Sequence, residues 1–198
     1  IITNGGSSIS GGSFYVYTGT TDVDEEGRIT IAFNYDGGSN WFFDSNSSTV
    51  IKGDNYGGGL AGETKLNQNQ FYHVAIVRND RDVKIYLDGI LDGHFTLADG
   101  VELYNVTKPF SIGTQLPAGT TNNAFRGYLS HIRIYTIAKY SENFNINNLS
   151  YSTTLDSDLK IYVPGNDDNY YYNFNGITES TAWTTPLYTL DIKKSNDF

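Results

Sequence analysis

Residues 71–89, Phe71-Tyr72-His73-Val74-Ala75-Ile76-Val77-Arg78-Asn79-Asp80-Arg81-Asp82-Val83-Lys84-Ile85-Tyr86-Leu87-Asp88-Gly89, read as two strands and a tight polar connection. Val83, Ile85 and Leu87 alternate with Lys84 and Tyr86, the period of two that a pleated strand imposes on its side chains. In the preceding run Tyr72, Val74 and Ile76 share one face while Ala75 and Val77 share the other. That strand is expected to be covered on both sides. A linker of Asp80, Arg81 and Asp82 is long enough only for a hairpin. Asp88-Gly89 then ends the second strand with two residues that tolerate positive φ. In this setting Asp88-Gly89 reads as a turn, and His73 as a packed strand histidine rather than a ligand.

The same reading extends in both directions. Upstream, 13–18, 28–34, 40–44 and 49–52 are short apolar or aromatic runs separated by Gly- or Asp-rich stretches. Downstream, 94–97, 109–113, 126–135, 159–163, 170–174 and 187–192 repeat the pattern, while 141–149 is an Asn-rich stretch expected to form a short helix. About a dozen strands with turn signals between them predict an all-β fold, a two-sheet antiparallel β-sandwich of the jelly-roll kind. Composition agrees: 16 Tyr, 11 Phe and 2 Trp suit half-buried pleated surfaces, and a charged fraction of only 18% is too low for a disordered chain. No Pro/Gly/Ser-rich linker divides the 198 residues, so one domain over 1–198 is expected.

Charge and residue usage exclude several functions. The net charge is -9 with 13 Lys plus Arg against 22 Asp plus Glu. Duplex nucleic acid demands a basic footprint, and anionic membrane surfaces demand the same. No apolar run approaches the roughly 20 residues that span a bilayer, so membrane insertion is not expected. Cysteine is absent, which removes disulfides, thiolate metal sites and cysteine nucleophiles. A chain that opens at Ile1 and has no Met reads as an excised or processed piece.

The hairpin 71–89 resembles the central hairpin of laminin-G-like, concanavalin-A-like domains, with its aromatic-His-Val-Ala strand and its Tyr-x-Asp-Gly strand end. Phe110-Ser111-Ile112-Gly113 and the run from Phe125 to Tyr135 match the next two blocks of that family in order. Ala138-Lys139-Tyr140-Ser141-Glu142-Asn143-Phe144 is similar to the ending of such domains on viral and phage tail or surface proteins. The family-like blocks span about 12–145, leaving 146–198 as a C-terminal extension or as closing strands. Tyr72 departs from the pattern, standing near the family's usual Trp. What the resemblance implies is a lectin-like sandwich at an extracellular, cell or virion surface.

Three chemistries remain to be weighed. Asp22-Val23-Asp24-Glu25-Glu26-Gly27 places oxygen donors at positions one, three and five and Gly at six, as calcium loops begin, so calcium at Asp22, Asp24 and Glu26 is the metal expectation. Position twelve is Phe33, where such loops carry a bidentate Glu, and a solvated acidic turn is the alternative. Glycan binding uses aromatic faces against sugar C–H surfaces beside amides and carboxylates. The candidate residues are Tyr56, Asn122, Asn123, Asp168, Tyr170 and Trp183, on loops or strand ends. Catalysis is not expected: no Glu-x-Asp-x-x-Glu strand occurs, and the glutamates are scattered beside turns. The expected function is non-catalytic recognition of a glycan or glycoprotein. The alternative is a structural or assembly role among other subunits of a viral or phage surface, tail or fibre protein, with a glycan-cleaving enzyme third.

Overall fold

The computed structural model describes residues 2–4, 14–18, 27–33, 49–56, 59–97, 110–112, 129, 131–149 and 159–163. They form β1 (Ile2–Asn4), β2 (Phe14–Thr18), β3 (Arg28–Phe33), β4 (Thr49–Lys52), β5 (Asp54–Tyr56), β6 (Gly59–Lys65), β7 (Val74–Asn79), β8 (Asp82–Leu87), β9 (Ile90–Thr96), β10 (Phe110–Ile112), β11 (Ile132–Tyr135) and β12 (Leu159–Val163). One sheet has six strands in the order β10-β1-β2-β3-β6-β5, a second has four in the order β4-β9-β8-β7, and β11 pairs separately with β12. Every pairing is antiparallel. The all-β, two-sheet reading is therefore correct.

Alternation decides which side chains lie between the sheets. Ile29, Ile31 and Phe33 of β3 and Leu60 of β6 meet Val83 and Ile85 of β8, Phe95 of β9 and the following Leu97, all buried in one cluster. The rings of Phe33 and Phe95 approach across the gap with centroids 6.3 Å apart. Phe14, Val16, Val50 and Ile76 pack at its margin, so both sheets contribute to a single core. Burying each of these large side chains stabilises the fold by about 1.5–3 kcal/mol, less the cost of ordering it.

The β7–β8 hairpin forms where residues 71–89 place it, pairing from Val74↔Leu87 to Asn79↔Asp82. Asp88 and Gly89 join β8 to β9 with φ of 50° and 81°. Two consecutive positive-φ residues make the hairpin turn whose twist matches the flanking strands. Asp88 also clasps the start of β7: its Oδ1 accepts from the His73 amide at 2.8 Å, and its own amide donates to His73 O at 2.8 Å.

β9 then departs from simple pairing. Tyr86 pairs with Leu91 but Ile85 with Gly93, so Asp92 is an extra residue. Such a bulge moves every later side chain to the opposite face. Phe95 consequently enters the core opposite Val83, and His94 and Thr96 face out opposite Lys84 and Asp82. Asp92 itself turns inward and is 5% exposed. Its Oδ1 accepts from Thr64 N at 3.1 Å and Thr64 Oγ1 at 2.6 Å, and its Oδ2 lies over Gly62 of β6 where a Cβ would stand.

β1, β5 and β6 form where no strand was expected, and residues 141–149 hold less helix than expected. The stretch around Gly57-Gly58-Gly59 reads as a loop, yet Gly59 to Ala61 pair with both β3 and β5 and are buried. Glycine is required at two points of β6: a Cβ on Gly59 would crowd Ile31 O of the adjacent strand, and one on Gly62 would meet the Asp92 carboxylate. Residues 139–149 form a strap whose helix is limited to one 3-10 turn, Ile146–Asn148, with the Asn145 side chain accepting from Asn147 N at 2.9 Å. Three asparagines in five residues favour caps and turns over helix, which explains the shortfall. The runs 40–44, 170–174 and 187–192 lie outside the described residues.

Candidate functional site

The outward face of the four-stranded sheet is divided in two by chemistry. Cross-strand partners share a face, so Asp82 with Thr96 and Thr49, and Lys84 with His94, point away from the core. Tyr86 and Leu91 form the next row. One end of the face is covered by the strap, residues 139–149. The other end carries the polar side chains of Asp82, His94 and Thr96.

At the polar end Asp82 is the hub. Its Oδ1 accepts from Thr96 Oγ1 at 2.8 Å and lies 3.2 Å from His94 Nε2. The Asp82 side chain is 49% exposed and that of His94 16%, so the carboxylate stands outward while the imidazole is packed beside it. The Thr96 hydroxyl, foremost, and then His94 and the Lys84 charge hold the Asp82 carboxyl below its usual range, against a smaller opposing effect of burial. The carboxylate is thus ionised at neutral pH and fixed in direction by neighbours from a second strand. Such a group accepts hydrogen bonds from a pair of adjacent hydroxyls, with His94 and Thr96 alongside. The partners of Asp82 are a hydroxyl, an imidazole and an ammonium.

The covered end is aromatic. Tyr140 stacks on Phe144 with centroids 3.8 Å apart, and both rings pack against Tyr86. Phe144 also meets the His73 ring edge-on at 5.7 Å. Backbone and side-chain bonds hold the strap down: Phe144 N donates to Gly89 O at 2.9 Å, Leu91 N to Asn143 Oδ1 at 2.8 Å, and Lys84 Nζ to Ser141 O at 2.9 Å. Tyr86 is almost fully buried, and burial, helped by the Glu142 charge, pushes its phenol up. The aromatic rings therefore serve packing here, although Lys84 links both ends of the face.

Among the residues singled out from sequence, Tyr56 ends β5, where it pairs with Gly59. Its side chain lies outside the described residues, as do Asp22, Asp24, Glu26, Asn122, Asn123, Asp168, Tyr170 and Trp183. Gly27, which follows the acidic loop, has φ of 75° and its carbonyl accepts from Leu66 N at 2.8 Å, so the chain does turn sharply into β3 there. Among the described residues no three metal-ligating side chains cluster. None of their helices is long and apolar enough to cross a membrane. The Asp82, His94 and Thr96 set was not singled out from sequence. Its polar alternation on β8 is legible, but the bulge that turns His94 and Thr96 to the same face is not.

Comparison with known proteins adds one finding. A laminin-G-type family model, described as the concanavalin A-like lectin/glucanases superfamily, matches residues 6–144, which is 139 of the 198 residues. No curated protein and no solved structure matches the chain.

Proposed function

The chain belongs to the concanavalin A-like lectin/glucanases superfamily, and from that premise we propose that it binds a glycan or glycoprotein without cleaving it, at a cell or virion surface. The observation that carries this reading is the fixed, outward Asp82 carboxylate with His94 and Thr96 on the polar end of the four-stranded sheet. A carboxylate held by its neighbours loses little freedom when a ligand docks, so its hydrogen bonds contribute to affinity with a small ordering cost. Hydroxyl-rich ligands suit such a group, because each bond it accepts is charge-assisted. The loop aromatics and amides named from sequence, Tyr56, Asn122, Asn123, Asp168, Tyr170 and Trp183, are proposed to extend the contact, and Asp22, Asp24 and Glu26 to hold calcium.

Assembly within a larger viral or phage surface, tail or fibre structure is the second reading. Phe71, Ile51 and Ile90, exposed by 72%, 58% and 57%, favour it, since large apolar groups left in water mark contact surfaces. A glycan array probed with the full chain, in calcium and in chelator, separates the two. Saturable sugar binding supports recognition, and its loss on chelation assigns a cation to it. Silence on the array together with stable oligomers supports assembly. Release of reducing sugar from polysaccharide would overturn the non-catalytic reading.

A further inference from the structure

Among the described residues, one group that changes charge near neutral pH, His73, lies where the strap meets the four-stranded sheet. His73 sits between the end of the β8–β9 turn and the strap, with its ring edge-on to Phe144. Its Nδ1 is enclosed and has no hydrogen-bond partner among the described residues. A neutral imidazole can leave one nitrogen as a bare lone pair, which is tolerable in an apolar setting. Protonation converts that nitrogen into an N–H donor with no acceptor, which is costly when buried.

We propose that residues 139–149 are an acid-released latch, clasped to the β8–β9 hairpin when His73 is neutral and freed when His73 takes up a proton. The charged groups acting on His73 are Asp88, from the β8–β9 turn, and Arg133, from β11. The strap turns the uncharged Phe144 ring to it, and its own acid, Glu142, acts on Tyr86 instead. Asp88 favours the imidazolium, but its Oδ1 already accepts from the His73 amide. Burial outweighs it and Arg133 adds to burial, so the clasped imidazole titrates below its ordinary 6.5. A lowered histidine stabilises the clasped form fully above about pH 6.5 and progressively less as pH falls below it. Relief comes from lifting the element that closes over the ring, which breaks the bonds from Phe144 N to Gly89 O and from Leu91 N to Asn143 Oδ1. Opening also frees the Lys84 ammonium from Ser141 O.

Amide hydrogen exchange on the full chain, corrected for intrinsic rates, tests the latch at about pH 7 and pH 5. The Phe144 and Leu91 amides are expected to open more often at the lower pH, by up to roughly 25-fold. That ceiling applies to an imidazole that titrates at 6.5 when released and stays neutral while clasped. The Val83 and Phe95 amides, in the core, are expected to keep their protection. His73→Gln, which cannot gain a proton, is expected to abolish the pH response. Unchanged strap protection in the unsubstituted chain, or an equal acid response in His73→Gln, overturns the proposal. If His73→Gln fails to fold, the His73 ring protons of the unsubstituted chain are followed by NMR. A titration that coincides with strap opening supports the latch, and one that does not overturns it.

Discussion

At Asp82, three neighbouring side chains and burial decide the state of one carboxyl. Thr96, His94 and Lys84 favour the ionised form, so the group binds protons more weakly folded than unfolded. Its contribution to stability is present above the ordinary 3.8 and is lost as pH falls through its lowered folded value. Asp82→Asn is therefore expected to flatten the acid limb of a urea-unfolding series run between about pH 5 and pH 2. A limb of unchanged steepness would place that acid sensitivity elsewhere. Gly62 gives the sharpest test of close approach. A Cβ there runs into the Asp92 carboxylate, which is held by two bonds from Thr64 and cannot withdraw freely. Gly62→Ala is expected to destabilise the fold by about 1–3 kcal/mol in urea titration. Asp92→Ala in the same chain should recover part of the steric loss while forfeiting the Thr64 bonds.

Among the elements, the β8–β9 hairpin positions the candidate site, and its parts were unequally legible. The apolar alternation from Val83 to Leu87 and the Asp88-Gly89 turn follow directly from residue type, because a two-residue positive-φ turn has few sequences that fit it. Those two features alone, continued without a bulge, would pair His94 with Val83 and bury it. Asp92 reverses this, and nothing in the string Asp92-Gly93-His94 announces an extra residue; only the contact with Gly62 and Thr64 of another strand selects it. β6 was missed for the mirror-image reason, since glycines set by close neighbours, Ile31 O of β3 at Gly59 and the Asp92 carboxylate of the other sheet at Gly62, look locally like a loop. Deleting Asp92 is expected to leave Phe95 opposite Val83 in a regular ladder and to forfeit only the Thr64 bonds, so unfolding stays cooperative in urea melts of the far-ultraviolet signal. Gly89→Ala joins two costs, a positive φ of 81° and a Cβ directed at Phe144 O. It should lower stability by about 1 kcal/mol for the backbone alone and more once the strap is displaced.

For the whole molecule, the decisive arrangement is two sheets closed on one core, which turns the Asp82, His94 and Thr96 side chains of the four-stranded sheet to its far face beside the strap. Phe95 and Phe33 span the interior from opposite sheets. Phe95→Ala should cost about 3–5 kcal/mol and loosen both sheets together, giving one unfolding transition rather than two. The net charge of -9 opposes the approach of polyanions on average, while the polar half of the outer face offers an ionised, pre-positioned acceptor. Family membership rests on residues 6–144 and agrees with the laminin-G-like resemblance read from sequence. The glycan loops proposed from sequence lie mostly outside the described residues, so Asp82 is the residue on which the recognition reading can be tested directly. The decisive measurement is a binding titration of the best array glycan against the unsubstituted chain and Asp82→Asn at neutral pH. The account predicts that affinity falls by about tenfold or more, as loss of a charged acceptor entails, with the melting temperature shifted by no more than about 3 °C. Equal affinity in the two proteins would contradict it.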